Sequence, residues 1–149
     1  MKAKEIMSKD VVVINTETTI EEIAHILVDK NISGLPVVDA ENKVVGIVTE
    51  RDILYKDIEP RFPPVVELLG GVVFLGGKHY NDELKKLVAT KAKDIMKKHV
   101  ITVSEDTDVT KVAEIMIEKG INRIPVVSGG KLAGIISRSD LVKFIAESM

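Results

Sequence analysis

The sequence contains no cysteine and no tryptophan, and aromatic residues make up only 3% of the chain. The absence of cysteine excludes a disulfide scaffold, a thiolate metal site and a cysteine nucleophile. With so few aromatic residues the core must be built from isoleucine, valine and leucine, which a hydrophobic content of 45% allows. The same scarcity leaves few side chains on which nucleic-acid bases could stack.

Neither sign of charge dominates, and no apolar segment is long. The 21 lysine and arginine residues are balanced by 23 aspartate and glutamate residues, which gives a net charge of −2. This balance argues against a broad basic surface for nucleic acid or an anionic membrane. No apolar run approaches about 18 residues, and the N-terminus lacks a signal-peptide pattern. We therefore expect a soluble, cytoplasmic protein with no membrane association.

The sequence does contain an internal repeat, because residues 2–58 recur with few changes at 91–147. KAKEIM at 2–7 returns as KAKDIM at 91–96, LPVV at 35–38 as IPVV at 124–127, and GIVTERD at 46–52 as GIISRSD at 134–140. Two copies of one unit can pack about a pseudo-twofold axis and form two related clefts where they meet, and ligands commonly bind at such interfaces. We divide the chain into repeat 1 at 1–58, a connecting segment at 59–90 and repeat 2 at 91–149.

Each repeat follows the same predicted order of strand, helix, strand, strand and helix, after a short helical turn. An apolar strand is predicted at 11–14 and at 100–103. A helix with one apolar face follows at 20–30 and at 109–119, capped in repeat 1 by Thr19 with Glu22 and ended in repeat 2 by Gly120. Two strands then form a hairpin, and a last helix begins near Thr49 or Ser137. The predicted fold class is α/β (α+β), in which each small sheet carries helices on one face.

Residues 59–90 have no counterpart elsewhere in the chain. Pro60, Pro63 and Pro64 break the preceding helix, and two glycine pairs interrupt the apolar stretch that follows. The segment is too apolar for a flexible linker. We expect it to be ordered and to pack against the repeats or across a dimer.

The start of the last helix is the most informative part of each repeat. Thr49 precedes Asp52 by three positions, as Ser137 precedes Asp140. At a helix N-terminus the free N–H groups favour anions, while a carboxylate can accept both hydroxyls of a ribose and a hydroxyl can donate to phosphate. A capping box has the same spacing and needs no ligand. The spacing alone leaves both interpretations open.

A second element lies around Pro36 and Pro125, each of which opens a strand. Proline lacks the N–H that the ladder needs, so it belongs at a strand start or an edge, and the residues before it can face a cleft. A plain helix-to-strand turn explains the same pattern. The two copies differ just before the proline, where Gly34 leaves room and Arg123 places a cation.

Signals for metal binding or catalysis are weak. His25, His79 and His99 are scattered and lack ligand spacing. We find no combination of nucleophile, base and orienting residue that would support an enzyme. We therefore expect no metal, no required cofactor and no catalytic residue.

The paired motifs, in duplicate and in the same order, resemble the CBS domain, and the chain resembles a CBS pair (Bateman module) over 2–58 and 91–147. This resemblance implies two repeats packed through their sheets, and pairs of this kind often dimerise into a flat disk. It also implies binding of an adenosine-containing regulatory ligand, such as AMP, ADP, ATP or S-adenosylmethionine, and control of a partner protein.

By the same resemblance, each cleft combines residues of both repeats. One repeat supplies the early strand and the proline segment for the adenine side, and the other supplies the start of its last helix for ribose and phosphate. The first predicted site comprises Val12, Ile32, Ser33, Pro36, Arg123, Ile135, Ser137 and Asp140. The mirrored site comprises Ile47, Thr49, Asp52, Ile101, Ile121, Asn122 and Pro125. Because repeat 1 has Gly34 where repeat 2 has Arg123, we expect the two sites to differ in affinity or in the ligand that they bind.

We therefore interpret the chain as a stand-alone, energy-sensing regulatory module that forms a homodimer, binds an adenosine ligand and signals to a separate, unidentified effector protein. An alternative is a ligand-free scaffold whose repeat serves only dimerisation and docking. A third and weaker reading is single-stranded nucleic-acid binding. A rise in melting temperature with an adenosine ligand distinguishes the first from the second, since ligand binding stabilises the folded state.

Overall fold

The computed structural model describes residues 1–54 and 90–149. The connecting segment predicted at 59–90 lies outside the described residues apart from Thr90. The elements of repeat 1 are α1 (Ala3–Ile6), α2 (Ile20–Lys30), β1 (Gly34–Val38), β2 (Val44–Thr49) and α3 (Glu50–Asp52). Those of repeat 2 are α4 (Ala92–Ile95), β3 (Val103–Ser104), α5 (Val109–Lys119), β4 (Arg123–Ser128), β5 (Lys131–Ser137) and α6 (Arg138–Ser148).

The long helices α2 and α5 cover the residues that their apolar periodicity predicts. Thr19 caps α2, since its side chain accepts the N–H of Glu22 and the Glu22 carboxylate accepts the N–H of Thr19. Each helix ends on a left-handed residue, Asn31 with φ 53° and Gly120 with φ 62°. The buried apolar residues of the two helices are Ile20, Ile23 and Leu27 in α2 and Val109, Val112 and Met116 in α5.

Both predicted hairpins are present. β1 pairs antiparallel with β2, and β4 with β5, in matching register: Gly34 lies opposite Thr49, and Arg123 lies opposite Ser137. β1 is buried along its whole length, as its continuous apolar sequence predicts. This mixed α/β arrangement of small sheets and helices confirms the predicted fold class. In both repeats the hairpin register places the residue two positions before the proline opposite the residue that caps the last helix.

The early strands are shorter than predicted. In repeat 1 only Ile14 forms a bridge, parallel to Val37, and the prediction was wrong for residues 11–13. In repeat 2 the strand β3 covers Val103–Ser104 and pairs parallel with β4. Val11 and Val12 are partly exposed because they line a cleft, and Val13 is exposed.

The first helix of each repeat packs into the core of the other repeat. Ala92 and Ile95 of α4 belong to the core formed by α2, β1 and β2. Ala3 of α1 belongs to the core formed by α5, β4 and β5. This exchange makes the stability of each core depend on both repeats. The repeat boundaries at 58 and 91 stay a prediction.

Backbone hydrogen bonds fix the exchanged helices in equivalent ways. Ala3 donates its N–H to Thr107 O at 2.8 Å, and Ala92 donates its N–H to Thr18 O at 2.7 Å. Exposed ion pairs lie around these contacts, namely Lys2 with Asp108, Lys4 with Asp106, and both Lys91 and Lys93 with Glu17. Exposed pairs of this kind add little stability. The backbone bonds and the buried apolar residues therefore carry the exchange.

Two further backbone pairs join the repeats about the pseudo-twofold axis. Ser8 and Ile135 exchange N–H···O bonds of 2.9 and 3.0 Å, and Lys97 and Ile47 exchange bonds of 3.0 and 3.1 Å. Ser8 corresponds to Lys97 in the repeat, and Ile135 corresponds to Ile47. No helix within residues 1–54 and 90–149 is both long and apolar enough to cross a membrane.

The exchanged segments lie against two equivalent glycines. A Cβ at Gly46 would lie 2.8 Å from Cγ of Met96, and a Cβ at Gly134 would lie 2.7 Å from Cγ of Met7 and 3.0 Å from the backbone oxygen of Ser8. Met96 can move to a new rotamer, whereas the Ser8 oxygen is held by its bond to Ile135. The two sites therefore differ in how well they can accommodate a methyl group.

We expect Gly134→Ala to lower the free energy of unfolding by about 1–3 kcal/mol, as overpacking typically does. Gly46→Ala should cost somewhat less, because the three atoms nearest to the added Cβ all belong to the side chain of Met96, of which only Cβ, at 3.1 Å, is fixed by the backbone. Urea denaturation of the two variants measures this difference, and each variant is the control for the other. Equal losses would contradict a backbone obstacle at Gly134.

Candidate ligand-binding clefts

Two clefts lie between the repeats, on either side of the pseudo-twofold axis. The first cleft has a volume of about 700 Å³ and contains all eight residues of the first predicted site. The early segment of repeat 1 lines one side, and the start of α6 lines the other. Residues of the first cleft that the sequence analysis did not select include Asp10, Gly34, Arg138 and Ser139. Arg138 and Ser139 lie inside the helix-start motif, so their position in the sequence could have identified them.

The second cleft is smaller, with a volume of about 260 Å³. It contains six of the seven residues of the mirrored site: Ile47, Thr49, Ile101, Ile121, Asn122 and Pro125. Asp52 does not line it, because that side chain is only 3% exposed. Lys97, His99, Glu50 and Arg51 also line this cleft. Contact of any of these residues with a ligand stays a prediction.

The helix starts at both clefts form the capping boxes that the spacing allows. The Asp140 Oδ2 accepts the Ser137 N–H at 2.8 Å and the Ser137 hydroxyl at 2.9 Å. The Asp52 Oδ2 accepts the Thr49 N–H at 2.9 Å and the Thr49 hydroxyl at 3.1 Å. Each cap uses one carboxylate oxygen and leaves the other for a further contact, so capping and ligand binding are compatible.

The two aspartates differ in what their second oxygen can reach. Asp140 is half-buried and lines the first cleft, and its Oδ1 makes no hydrogen bond within residues 1–54 and 90–149. Asp52 is buried, and its Oδ1 lies 3.8 Å from Nζ of Lys97. A ligand hydroxyl can therefore approach Asp140 directly, whereas Asp52 must first become more exposed.

Arg123 lies between the two clefts and lines both of them. Its guanidinium donates a hydrogen bond to the Ser33 hydroxyl and covers the backbone of Gly34. Burial lowers the pKa of Arg123 below its ordinary value, and the negative charges of Glu50 and Asp52 act in the opposite direction. Gly34 and Arg123, which differ between the repeats, therefore lie against each other in the structure.

No group of three or more histidine, cysteine, aspartate or glutamate side chains in the described part of the chain is arranged to hold a metal ion. The polar groups of the clefts are instead hydroxyls, carboxylates and cations spread along two walls. This donor set is typical of an organic ligand with a sugar or an anionic group.

The CBS domain model matches residues 3–59 and 92–147, the two repeats. The chain belongs to the CBS-domain family. The uncharacterized protein MJ1426 of Methanocaldococcus jannaschii is 34% identical to this CBS pair, over 96% of the chain and 90% of that protein. Inosine-5'-monophosphate dehydrogenase of the same organism is 32% identical over 95% of the chain, which spans only 23% of the dehydrogenase. Because so little of the dehydrogenase is matched, its reaction carries no weight for this chain.

A solved structure shares the fold of this CBS pair along its full length. The CBS domain pair of protein MJ0100, in complex with 5'-methylthioadenosine and S-adenosyl-L-methionine, has a TM-score of 0.72 and 27% identity. The match covers 100% of this chain and 98% of that chain. The likeness confirms that the two repeats form a CBS pair.

Proposed function

We propose that this CBS pair is a regulatory module that binds an adenosine-containing ligand in the clefts between its repeats. The observation that carries the proposal is the first cleft, where an apolar side, a carboxylate with an available oxygen and two arginines face one volume of about 700 Å³. That volume is in the range of small-molecule sites. The related pair of MJ0100, whose structure contains two adenosine derivatives, supports the choice of ligand class.

Each part of an adenosine ligand has a matching wall in the first cleft. Val12, Ile32 and Pro36 offer an apolar slot for the base. The Oδ1 of Asp140 can accept hydrogen bonds from the ribose hydroxyls, and charge makes such bonds stronger than neutral ones.

Phosphate is suited to the start of α6, an 11-residue helix. The helix dipole and the hydroxyl of Ser139 favour an anion there, and Arg138 lies beside it, whereas the O–H of Ser137 is donated to Asp140. The second cleft repeats the scheme with a less accessible carboxylate, so we infer unequal affinities.

A ligand in either cleft would contact both repeats and so change the balance between their arrangements. Such a shift requires different affinities for the two arrangements. We infer that the output passes to a separate effector protein and that the module is a homodimer. Two exposed apolar side chains at equivalent positions, Val28 at 79% and Ile117 at 82%, support a self-association surface on α2 and α5.

A thermal melting series with AMP, ATP, S-adenosylmethionine and 5'-methylthioadenosine tests the proposal. A ligand at roughly 100 times its Kd stabilises the folded state by about 2.7 kcal/mol, which should raise Tm by about 5–10 °C. Ribose 5-phosphate, which lacks the base, is the control and should raise Tm less. If none of the adenosine ligands changes Tm, the proposal is wrong and the ligand-free scaffold is favoured.

A further inference from the structure

The two clefts are separated by a wall that both of them share. Three residues line both clefts, Ser33, Asn122 and Arg123, and we call them the shared wall. Arg123 is the charged member, and its guanidinium contacts the backbone of Gly34, which lines the first cleft. The negative charge of Glu50, which lines the second cleft, also acts on the guanidinium. The side chain of Arg123 is therefore close enough to interact with a ligand in either cleft.

The pseudo-symmetry is broken at this point. Arg123 and Gly34 occupy equivalent positions at the start of β4 and β1, so the pair of repeats has one arginine where a symmetric molecule would have two. A Cβ at Gly34 would lie 2.7–2.9 Å from three guanidinium atoms of Arg123. The missing side chain at Gly34 is thus the space that the guanidinium occupies.

Within the described residues, the guanidinium of Arg123 is not paired with a carboxylate. Arg123 forms no ion pair within residues 1–54 and 90–149, and its hydrogen-bond partner there is the neutral hydroxyl of Ser33. Guanidinium has five N–H donors and pairs strongly with phosphate. A phosphate in either cleft would therefore be a better partner than the Ser33 hydroxyl.

We propose that Arg123 is a single anion contact shared by the two clefts, so that a phosphate-bearing ligand in one cleft weakens the binding of a second such ligand in the other. This rests on the proposed function and extends it to the relation between the sites. The first phosphate attracts the guanidinium, and the second ligand then binds to a cleft without it. A ligand with no phosphate makes no such demand, and the two clefts bind it independently.

Calorimetric titration with AMP and with 5'-methylthioadenosine tests the proposal. For the wild-type protein we expect the second AMP to bind about 5- to 150-fold more weakly than statistics predict, the usual range of coupling between sites. The methylthioadenosine titration should show no such coupling. Arg123→Gly, which copies the residue of repeat 1, should remove the coupling for AMP, and methylthioadenosine should still bind the two clefts without coupling.

Two further variants separate the shared contact from a general loss of cleft charge. Gly34→Ala keeps the arginine but displaces its flexible end, so it should reduce the AMP coupling while the free energy of unfolding stays near that of the wild type. Arg138→Ala removes a cation that lines the first cleft alone. It should weaken one AMP site and leave the coupling in place.

The outcomes that contradict the inference are distinct from those that contradict the proposed function. If AMP fills both wild-type clefts with statistical affinities, or if Arg123→Gly keeps the wild-type coupling, the shared arginine is wrong although adenosine binding stands. If neither AMP nor methylthioadenosine binds, the proposed function is wrong and this inference falls with it.

Discussion

Replacing Ile95 by alanine should lower the free energy of unfolding by about 2–5 kcal/mol, the usual cost of truncating a fully buried isoleucine. Ile95 lies in the four-residue helix α4, which could not be stable by itself. Its side chain is 1% exposed, and it packs in the core of the opposite repeat. The loss of stability therefore measures the packing between the repeats rather than the intrinsic stability of α4. Urea denaturation followed by circular dichroism measures it.

The chain offers matched controls for this substitution. Ile145→Ala, at a side chain 55% exposed on α6 and outside the proposed self-association surface, should change stability by no more than about 0.5 kcal/mol. Ile6 is the repeat equivalent of Ile95 but is only partly buried, so Ile6→Ala should cost less. A loss at Ile95 no larger than that at Ile145 would mean that the exchanged helix does not hold the two cores together.

The exchange itself could not be predicted from the sequence. The periodicity of α2 and α5 follows from residues close together in the chain, and the prediction matches their observed bounds. The apolar residues of α1 and α4 fit either core, because the two cores are copies of each other. Local sequence indicates that Ile95 is buried, but the choice of partner depends on packing across more than forty positions, with core residues such as Ile14 and Val48.

The early strand shows a second limit. Val11, Val12 and Val13 form an apolar run of the kind that fills a buried strand, and a strand was predicted. In the structure Val11 and Val12 line the first cleft instead, and pairing begins at Ile14. An apolar run of this kind also suits the wall of a cleft, where its side chains stay partly exposed.

More of the site was predicted from the family resemblance than from the residue spacing alone. The motif spacing predicts both caps, and the family resemblance selects residues that the structure gathers around two clefts. Neither the spacing nor the resemblance predicts that Asp52 is more deeply buried than Asp140, because both aspartates follow their capping hydroxyl residue by three positions. That difference depends on packing and on Lys97, a residue outside the motif.

Replacing Asp140 by asparagine should weaken the binding of an adenosine ligand to the first cleft by about 10- to 100-fold. The loss of a hydrogen bond to a charged group corresponds to about 1.5–3 kcal/mol. Asparagine keeps one acceptor oxygen for the Ser137 cap, so the free energy of unfolding should fall by no more than about 1 kcal/mol. Titration with 5'-methylthioadenosine measures the affinity without any contribution from phosphate.

Asp52→Asn is the matched control, since it makes the same change at the equivalent position of the other repeat. Its carboxylate is buried and lies near Lys97, so we expect a smaller effect on ligand affinity and a larger effect on stability than for Asp140→Asn. The ratio of the two effects separates a ribose contact from a helix cap, because a cap alone would change stability at both positions and affinity at neither. If Asp140→Asn leaves the affinity for every adenosine ligand unchanged, Asp140 is a cap only, and the ribose must bind elsewhere.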